Sequence, residues 1–122
     1  MDQKQSSEDY LEDILVLSKK LPVVRSVDVA NDLGFAKPSI SVAMKKLREK
    51  NLITVTDAGF IYLTAEGKKI AEEVYERHTL FTEWLIKIGV DPEIAADDAC
   101  KLEHTISKES FEAIKNILYK SN

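Results

Sequence analysis

SVDVANDLGFAKPSISVAMKKLREKNLITVTDAGFIYL, residues 26–63, holds the change of period that decides the fold. Val27 to Leu33 reads as a short helix capped by Ser26 and stopped by Gly34: serine offers an oxygen to the free N–H groups of a first turn, and glycine accepts the left-handed backbone that ends a helix. A longer helix is predicted from about Pro38 to Lys50, with proline in the first turn, where its missing N–H has no partner to lose. The junction Leu33-Gly34-Phe35-Ala36-Lys37 is a tight turn. Helix, glycine turn and longer basic helix form the helix-turn-helix pattern, in which the second helix enters the major groove of DNA. The period then changes. Leu52-Ile53-Thr54-Val55-Thr56 and Phe60-Ile61-Tyr62-Leu63 are β-rich runs separated by Asp57-Ala58-Gly59, a hairpin turn. The combined order predicts a winged helix with a two-stranded wing, against the alternative of a small helical bundle carrying a decorative hairpin.

Outward from this stretch the chain is helical. Ser7 followed by Glu8 and Asp9 reads as an N-cap with acids in the first turn, and Tyr10, Leu11, Ile14, Leu15 and Leu17 supply an apolar stripe that should end before Pro22. Downstream, Thr64 caps a long helix that runs to Gly89 with Ile70, Val74, Phe81, Leu85 and Ile88 at helical spacing. Asp91-Pro92 opens a helix through about Ile106, and Ser107 opens the last, carrying Phe111, Ile114, Ile117 and Leu118. Three helices behind a wing, with too few residues for an independent enzyme core, predict a dimerisation unit with a two-fold interface. The expected architecture is mainly α: a winged-helix DNA-binding domain at 1–63 and a metal-binding and dimerisation domain at 64–122.

The 122 residues bound the chemistry further. No apolar stretch approaches the ~20 residues of a membrane span, and the start MDQKQSSEDY lacks the apolar core of a signal peptide, so a cytoplasmic protein with no membrane partner is expected. A single cysteine, Cys100, excludes an internal disulfide and any all-cysteine zinc site. The net charge of −4 argues against nucleic acid only until it is divided along the chain. Residues 1–63 carry nine Lys/Arg and nine Asp/Glu, so the whole deficit lies in 64–122. From Ala36 to Lys50 the cations Lys37, Lys45, Lys46, Arg48 and Lys50 face only Glu49, and DNA binding depends on such local patches more than on the total. With Pro38 starting the recognition helix, Ser39 and Ser41 fall where side chains meet base edges. Lys37, Lys45, Lys46 and Arg48 can reach phosphates or bases, and Val42 can contact a thymine methyl. Taken alone, such a charge run also fits a solvated helix face.

The other constellation is a donor set. Cys100, Glu103 and His104 stand at i, i+3 and i+4, which puts a thiolate, a carboxylate and an imidazole on one helical face beside the apolar positions Ala95, Ala99, Leu102 and Ile106. His78 falls in the inward series Ile70, Val74, His78, Phe81, Leu85, either as a ligand or as a satisfied core histidine. Asp9, Glu12 and Asp13 repeat the i, i+3, i+4 spacing, and by themselves read as a solvated face favoured by the helix dipole. No tight chelating motif such as His-Glu-x-x-His is present.

Ser7-Glu8-Asp9-Tyr10-Leu11-Glu12, Lys37-Pro38-Ser39-Ile40-Ser41, Leu63-Thr64-Ala65-Glu66-Gly67-Lys68, Arg77-His78 and Cys100-x-x-Glu103-His104, in this order and spacing, resemble the iron- and manganese-dependent repressors of the diphtheria-toxin-repressor and manganese-transport-regulator type. The resemblance spans nearly the whole chain. It implies a homodimer whose metal site links the DNA-binding unit to the dimerisation helices, with Asp9, Glu12, His78, Cys100, Glu103 and His104 at ligand positions. Asp9 looks like the manganese branch, where the iron branch has methionine; Cys100 looks like the iron branch, where the manganese branch has glutamate. Thr82 and Ala96 stand where iron-type members carry ligands of an ancillary site, which argues against a separate second site of that kind. The end of the chain after the dimerisation helices resembles the short manganese-type members, without a further C-terminal domain.

The expected function is a repressor that binds double-stranded operator DNA as a homodimer when loaded with Fe(II) or Mn(II) and controls metal homeostasis. No enzyme activity and no small-molecule substrate are expected. Carboxylates favour hard Mn(II), whereas the Cys100 thiolate adds affinity for Fe(II) and for Co(II), Ni(II) or Zn(II) in vitro, and makes Fe(II) the leading expectation. The alternatives are a winged-helix regulator that uses no metal and, further off, a small hydrolytic metalloenzyme, for which little chain is left to build a substrate pocket.

Overall fold

Local sequence signals set most element boundaries in the computed structural model, which describes residues 3–120. The order is α1 (Gln3–Lys20), α2 (Ser26–Leu33), α3 (Lys37–Glu49), β1 (Ile53–Val55), β2 (Ile61–Leu63), α4 (Ala65–Lys87), α5 (Pro92–Leu102) and α6 (Lys108–Lys120). The chain forms two compact units, Met1–Glu73 and Val74–Asn122. Among the described residues, no helix is long and apolar enough to cross a membrane.

Two of the expected caps are displaced. Ser7 is not an N-cap: α1 already includes Gln3, because Gln3, Lys4 and Gln5 are good helix formers and carry the helix a further turn. Ser26 is the first residue of α2, and Arg25 takes the cap position, its backbone N–H donating to Asp28 Oδ2 at 2.8 Å. Gly34 ends α2 as expected, with φ 73° and its N–H on Ala30 O. Pro38 lies in the first turn of α3. Thr64 caps α4, its Oγ1 accepting from Gly67 N at 3.1 Å while donating to Asn51 O at 2.8 Å. Ser107 caps α6 in the same way, accepting from Ser110 N.

In the first unit, Leu11, Ile14, Val29, Ile40, Leu47 and Ile53 are each no more than 1% exposed and form one core with α1, α2, α3 and the hairpin. Each such side chain contributes ~1.5–3 kcal/mol relative to exposure, and together they fix α3 against α2. The hairpin pairs Ile53 with Leu63, Thr54 with Tyr62 and Val55 with Ile61, and an isolated bridge from Val24 to Ile61 ties it to the segment before α2. Gly59 turns the hairpin at φ 85°. Helix α4 starts on the back of β1, with Gly67 so close to the Leu52 carbonyl that no side chain fits between them.

A second core belongs to the second unit: Leu80, Phe81, Ala99 and Phe111, with Trp84, Ile106, Ile114 and Leu118 packed against it. Phe81 and Phe111 meet edge to face at 5.8 Å between centroids, a favoured aromatic geometry.

Asp13 departs from the expected solvated acidic face: it is buried in the first unit. Burial is the main cause that raises its pKa to about 8, followed by a hydrogen bond to the Asp32 carboxyl, which requires a shared proton; Glu12 adds to the rise and Lys20 opposes it. A carboxyl with a raised folded-state pKa stabilises the fold fully below its unfolded value near 3.8, and that contribution is lost as pH climbs to about 8. Asp13→Asn keeps a donor for Asp32 and removes the titration. Between pH 5 and 8 it should therefore lose about 1–3 kcal/mol less stability than the native protein, while the loss that comes from His78 stays common to both. Parallel melting curves would show that Asp13 is ionised without penalty.

Candidate metal centre and nucleic-acid interface

Helix α4 brings His78 to the end of α5, where Cys100 and Glu103 lie on one face. The fully buried Ala95 and Ala99 mark the inner side of α5, where Ala99 packs with Leu80, Phe81 and Phe111. His78 Nδ1 lies 3.0 Å from Glu103 Oε2 and 3.8 Å from Cys100 Sγ. His104 Nε2 lies 3.2 Å from the other carboxylate oxygen, Oε1, which has no hydrogen-bond partner among the described residues. Donor atoms of His78, Cys100 and Glu103 all lie within 4.8 Å of one another.

Electrostatics make this more than a packed polar cluster. Glu103 is 0% exposed, and a carboxylate buried to that degree requires positive charge beside it. In the metal-free protein His78 supplies it: the hydrogen bonds to Cys100 and then Glu103 raise its pKa to about 10 against the opposing effect of burial. A divalent cation can replace that proton, with one sulfur, one nitrogen and a carboxylate oxygen still open to it, a donor set suited to borderline first-row metals. The residues therefore fit a metal ion. Cys100 is exposed, which leaves a route from solvent.

Helix α5 stops at Leu102, four residues short of the expected Ile106. Leu102 O accepts both Thr105 N at 3.2 Å and Ile106 N at 3.3 Å, which closes a tight turn in place of another helical turn. Glu103 keeps helical backbone angles as the C-cap and so retains the expected face with Cys100, whereas His104 stands in the turn. Leu102, expected among the apolar neighbours, is 38% exposed. Asp9 and Glu12 lie on α1 of the first unit, both half-buried and three residues apart on one side of the helix.

Helix α3 separates its faces cleanly. Ile40, Met44 and Leu47 are buried at i, i+4 and i+7, while Lys37, Pro38, Ser39, Ser41, Val42, Lys45, Lys46 and Arg48 are all exposed. Val42, at 56% exposed, is an apolar group on an otherwise polar outer face. Two further exposed groups escaped the sequence reading. Tyr62 stands outward on β2, and the Arg25 guanidinium sits 4.9 Å from the centroid of the Phe60 ring, which follows the hairpin turn. Alternation along β2 carried the signal for Tyr62; nothing in the spacing marked Arg25.

Fold and donor set together define the class: a winged-helix protein with a candidate transition-metal centre in a separate helical unit. The chain belongs to the iron-dependent repressor family. Residues 3–59 match the model for the family's N-terminal DNA-binding domain, and residues 64–121 match the model for its metal-binding and dimerisation domain. The transcriptional regulator MntR of Escherichia coli O6:H1 is 38% identical over 108 residues, covering 88% of this chain and 70% of that protein. Among solved structures, the manganese regulator SloR aligns with a TM-score of 0.82 at 26% identity, over 93% of this chain and 53% of that one. A manganese-dependent transcriptional repressor in complex with manganese aligns with a TM-score of 0.83 at 26% identity, over 92% of this chain and 52% of that one. The chain thus spans about half the length of these two structural relatives.

Proposed function

We propose that the protein is a metal-responsive transcriptional repressor: a homodimer that binds operator DNA through α3 when Fe(II) or Mn(II) occupies the centre at His78, Cys100, Glu103 and His104. The observation that carries this reading is the fully buried Glu103 carboxylate, with His78 and Cys100 donors gathered around it, in a chain that also exposes a cationic recognition helix. Asp9 and Glu12 join the ligand set on the motif positions they match. Exposed Ile86, Ile88, Ile94, Ile117 and Tyr119 in the second unit supply apolar surface for a second copy. Paired recognition helices one helical turn of DNA apart then read a two-fold operator. The regulatory roles and manganese named for the relatives support the same reading.

The test is a mobility shift on the protein's own promoter region with each divalent metal in turn. DNA binding should require metal, and Fe(II) or Co(II) should act at lower free concentration than Mn(II). Lys45→Ala and Lys46→Ala should weaken binding broadly and reduce the salt slope by about one counterion per lost phosphate contact in each subunit. Equal retardation in chelator and in metal would refute the reading, and unchanged salt slopes would move the DNA surface off α3.

Metal choice has its own spectroscopic check. With Co(II) the native protein should show a sulfur-to-metal charge-transfer band in the near ultraviolet that Cys100→Ser abolishes, and the serine variant should narrow the gap between Fe(II) and Mn(II). A missing band in the native protein would make Cys100 a structural thiol and remove the basis for an iron preference.

A further inference from the structure

The end of α5 poses a mechanical problem. Glu103 follows the last helical residue and His104 lies in a turn, so the regular hydrogen bonds of a helix hold neither in place at their carbonyls. Side chains that ligate a metal must be fixed within about half an ångström before the ion arrives, or the ion must order them itself. The Arg77-His78 pair supplies an answer that the ligand set leaves unused. Arg77 Nη1 donates to Glu103 O at 3.1 Å and to Ile106 O at 3.4 Å, the two carbonyls that bracket the turn containing His104. Its guanidinium also lies over the Phe111 ring, 5.5 Å from the centroid. One half-buried side chain therefore binds α4, the turn after α5 and the start of α6 together.

We propose that Arg77 is a positioning residue of the metal centre, holding the 103–106 turn so that Glu103 and His104 are oriented for the ion that His78, its neighbour on α4, also meets. The assignment rests on the proposed metal-dependent function. A cation is suited to this place because the C-terminus of a helix carries partial negative charge and exposed carbonyls. Arginine is suited beyond its charge: the two N–H groups of Nη1 serve the two carbonyls while the planar guanidinium face lies over the Phe111 ring, whereas a lysine ammonium has no planar face to stack while it donates. The action runs through the backbone, since both carbonyls belong to the peptide chain and neither is a metal donor in the set.

A built-in control is available in the same helices. Lys115 Nζ on α6 meets Glu76 Oε1 on α4 at 3.0 Å, one residue before Arg77, and does not touch the turn. The experiment measures Co(II) affinity by chelator competition, the Co(II) absorption spectrum and the melting temperature of metal-free protein for Arg77→Lys, Arg77→Met and Lys115→Ala. Expected for Arg77→Lys is a melting temperature near that of the native protein, a loss of about 10–100-fold in Co(II) affinity, and altered visible bands from a distorted ligand field. Lys115→Ala should match the native protein in affinity and spectrum. Arg77→Met, which keeps only the apolar stem, should lose at least as much affinity; should it fail to fold, Arg77→Lys decides alone. Native affinity and spectrum in Arg77→Lys would overturn the assignment, as would an equal loss in Lys115→Ala, which would point to general packing of α4 on α6. A native protein that binds no Co(II) would refute the metal function itself, a different result from either.

Discussion

Glu103→Gln is expected to abolish metal-dependent DNA binding while leaving a folded protein. The change is nearly isosteric and stays within a fully buried site, so packing is preserved and the charge is the variable. The native carboxylate faces His78 Nδ1 at 3.0 Å on one oxygen and presents the other with no hydrogen-bond partner among the described residues. A neutral amide cannot balance a divalent ion in that setting, and metal affinity should fall by roughly two orders of magnitude or more, as for the loss of an anionic ligand from a dry site. The metal-free protein should respond in the opposite sense to pH. In the native chain His78 has its pKa raised to about 10, so its contribution to stability is complete below the ordinary value near 6.5 and is lost as pH rises toward 10. Part of that rise comes from Glu103, so the glutamine variant should show a flatter melting profile over this range. Calorimetric titration with Mn(II) and Co(II), beside melting curves from pH 6 to 10, checks both points. A glutamine variant that shifts operator DNA at the native metal concentration would remove Glu103 from the centre.

The part of the candidate donor cluster that was readable from sequence rests on local spacing: Cys100 and Glu103 are three residues apart, and Glu103 keeps helical angles even though α5 has already ended. His78 was legible as an inward helical position and nothing more; its meeting with Glu103 is tertiary, and no periodicity in α4 encodes it. Arg77 shows the same limit more sharply. A charged residue beside a histidine reads as solvated, and only the turn after Leu102 reveals the two carbonyls it serves. For Asp13 the local rule gave the wrong answer. Helix-dipole logic places an acid near an N-terminus in solvent, but the core of the first unit closes over this side chain, and Asp32 lies on a different helix. Helix α1 moreover starts at Gln3, so Asp13 lies well beyond the first turn to which the dipole effect is confined, and desolvation sets its environment.

The winged helix itself was legible because each of its signals is local. Gly34 at the turn, Pro38 at the first turn of α3, the β-rich runs around Gly59 and the Thr64 cap lie within a few residues of what they control. Where these signals compete, their strengths decide. Ser26 lost the cap of α2 to Arg25 because Asp28 receives the Arg25 N–H, so the carboxylate three residues on set the helix start. The end of α5 had no glycine or proline to mark it. Bonds from Thr105 N and Ile106 N to the single carbonyl of Leu102 ended the helix there instead.

Gly67 is where the reading of propensity and the packing of the fold point in opposite directions, and the difference is measurable. It lies in the first turns of α4, where exchange of glycine for alanine in an exposed helix would stabilise by about 1 kcal/mol. Here a methyl group would run into the Leu52 carbonyl oxygen. That carbonyl cannot swing aside, since it belongs to the backbone entering β1 and accepts the Thr64 N–H at 3.1 Å. Relief would have to come from moving α4 away from the wing, which would also break the Thr64 hydroxyl bond to Asn51 O. Gly67→Ala is therefore expected to destabilise the first unit by about 3 kcal/mol or more, toward the severe end for overpacking. For a domain of this size that corresponds to a fall in melting temperature of roughly 12 °C or more. Gly34→Ala provides the comparison: its φ is 73°, but a methyl group there meets nothing within 4 Å, so only the left-handed backbone is penalised, at ~1 kcal/mol. Urea unfolding of both variants separates a steric cause from a conformational one. If Gly67→Ala is as stable as Gly34→Ala, the close approach of α4 to Leu52 does not hold the wing in place.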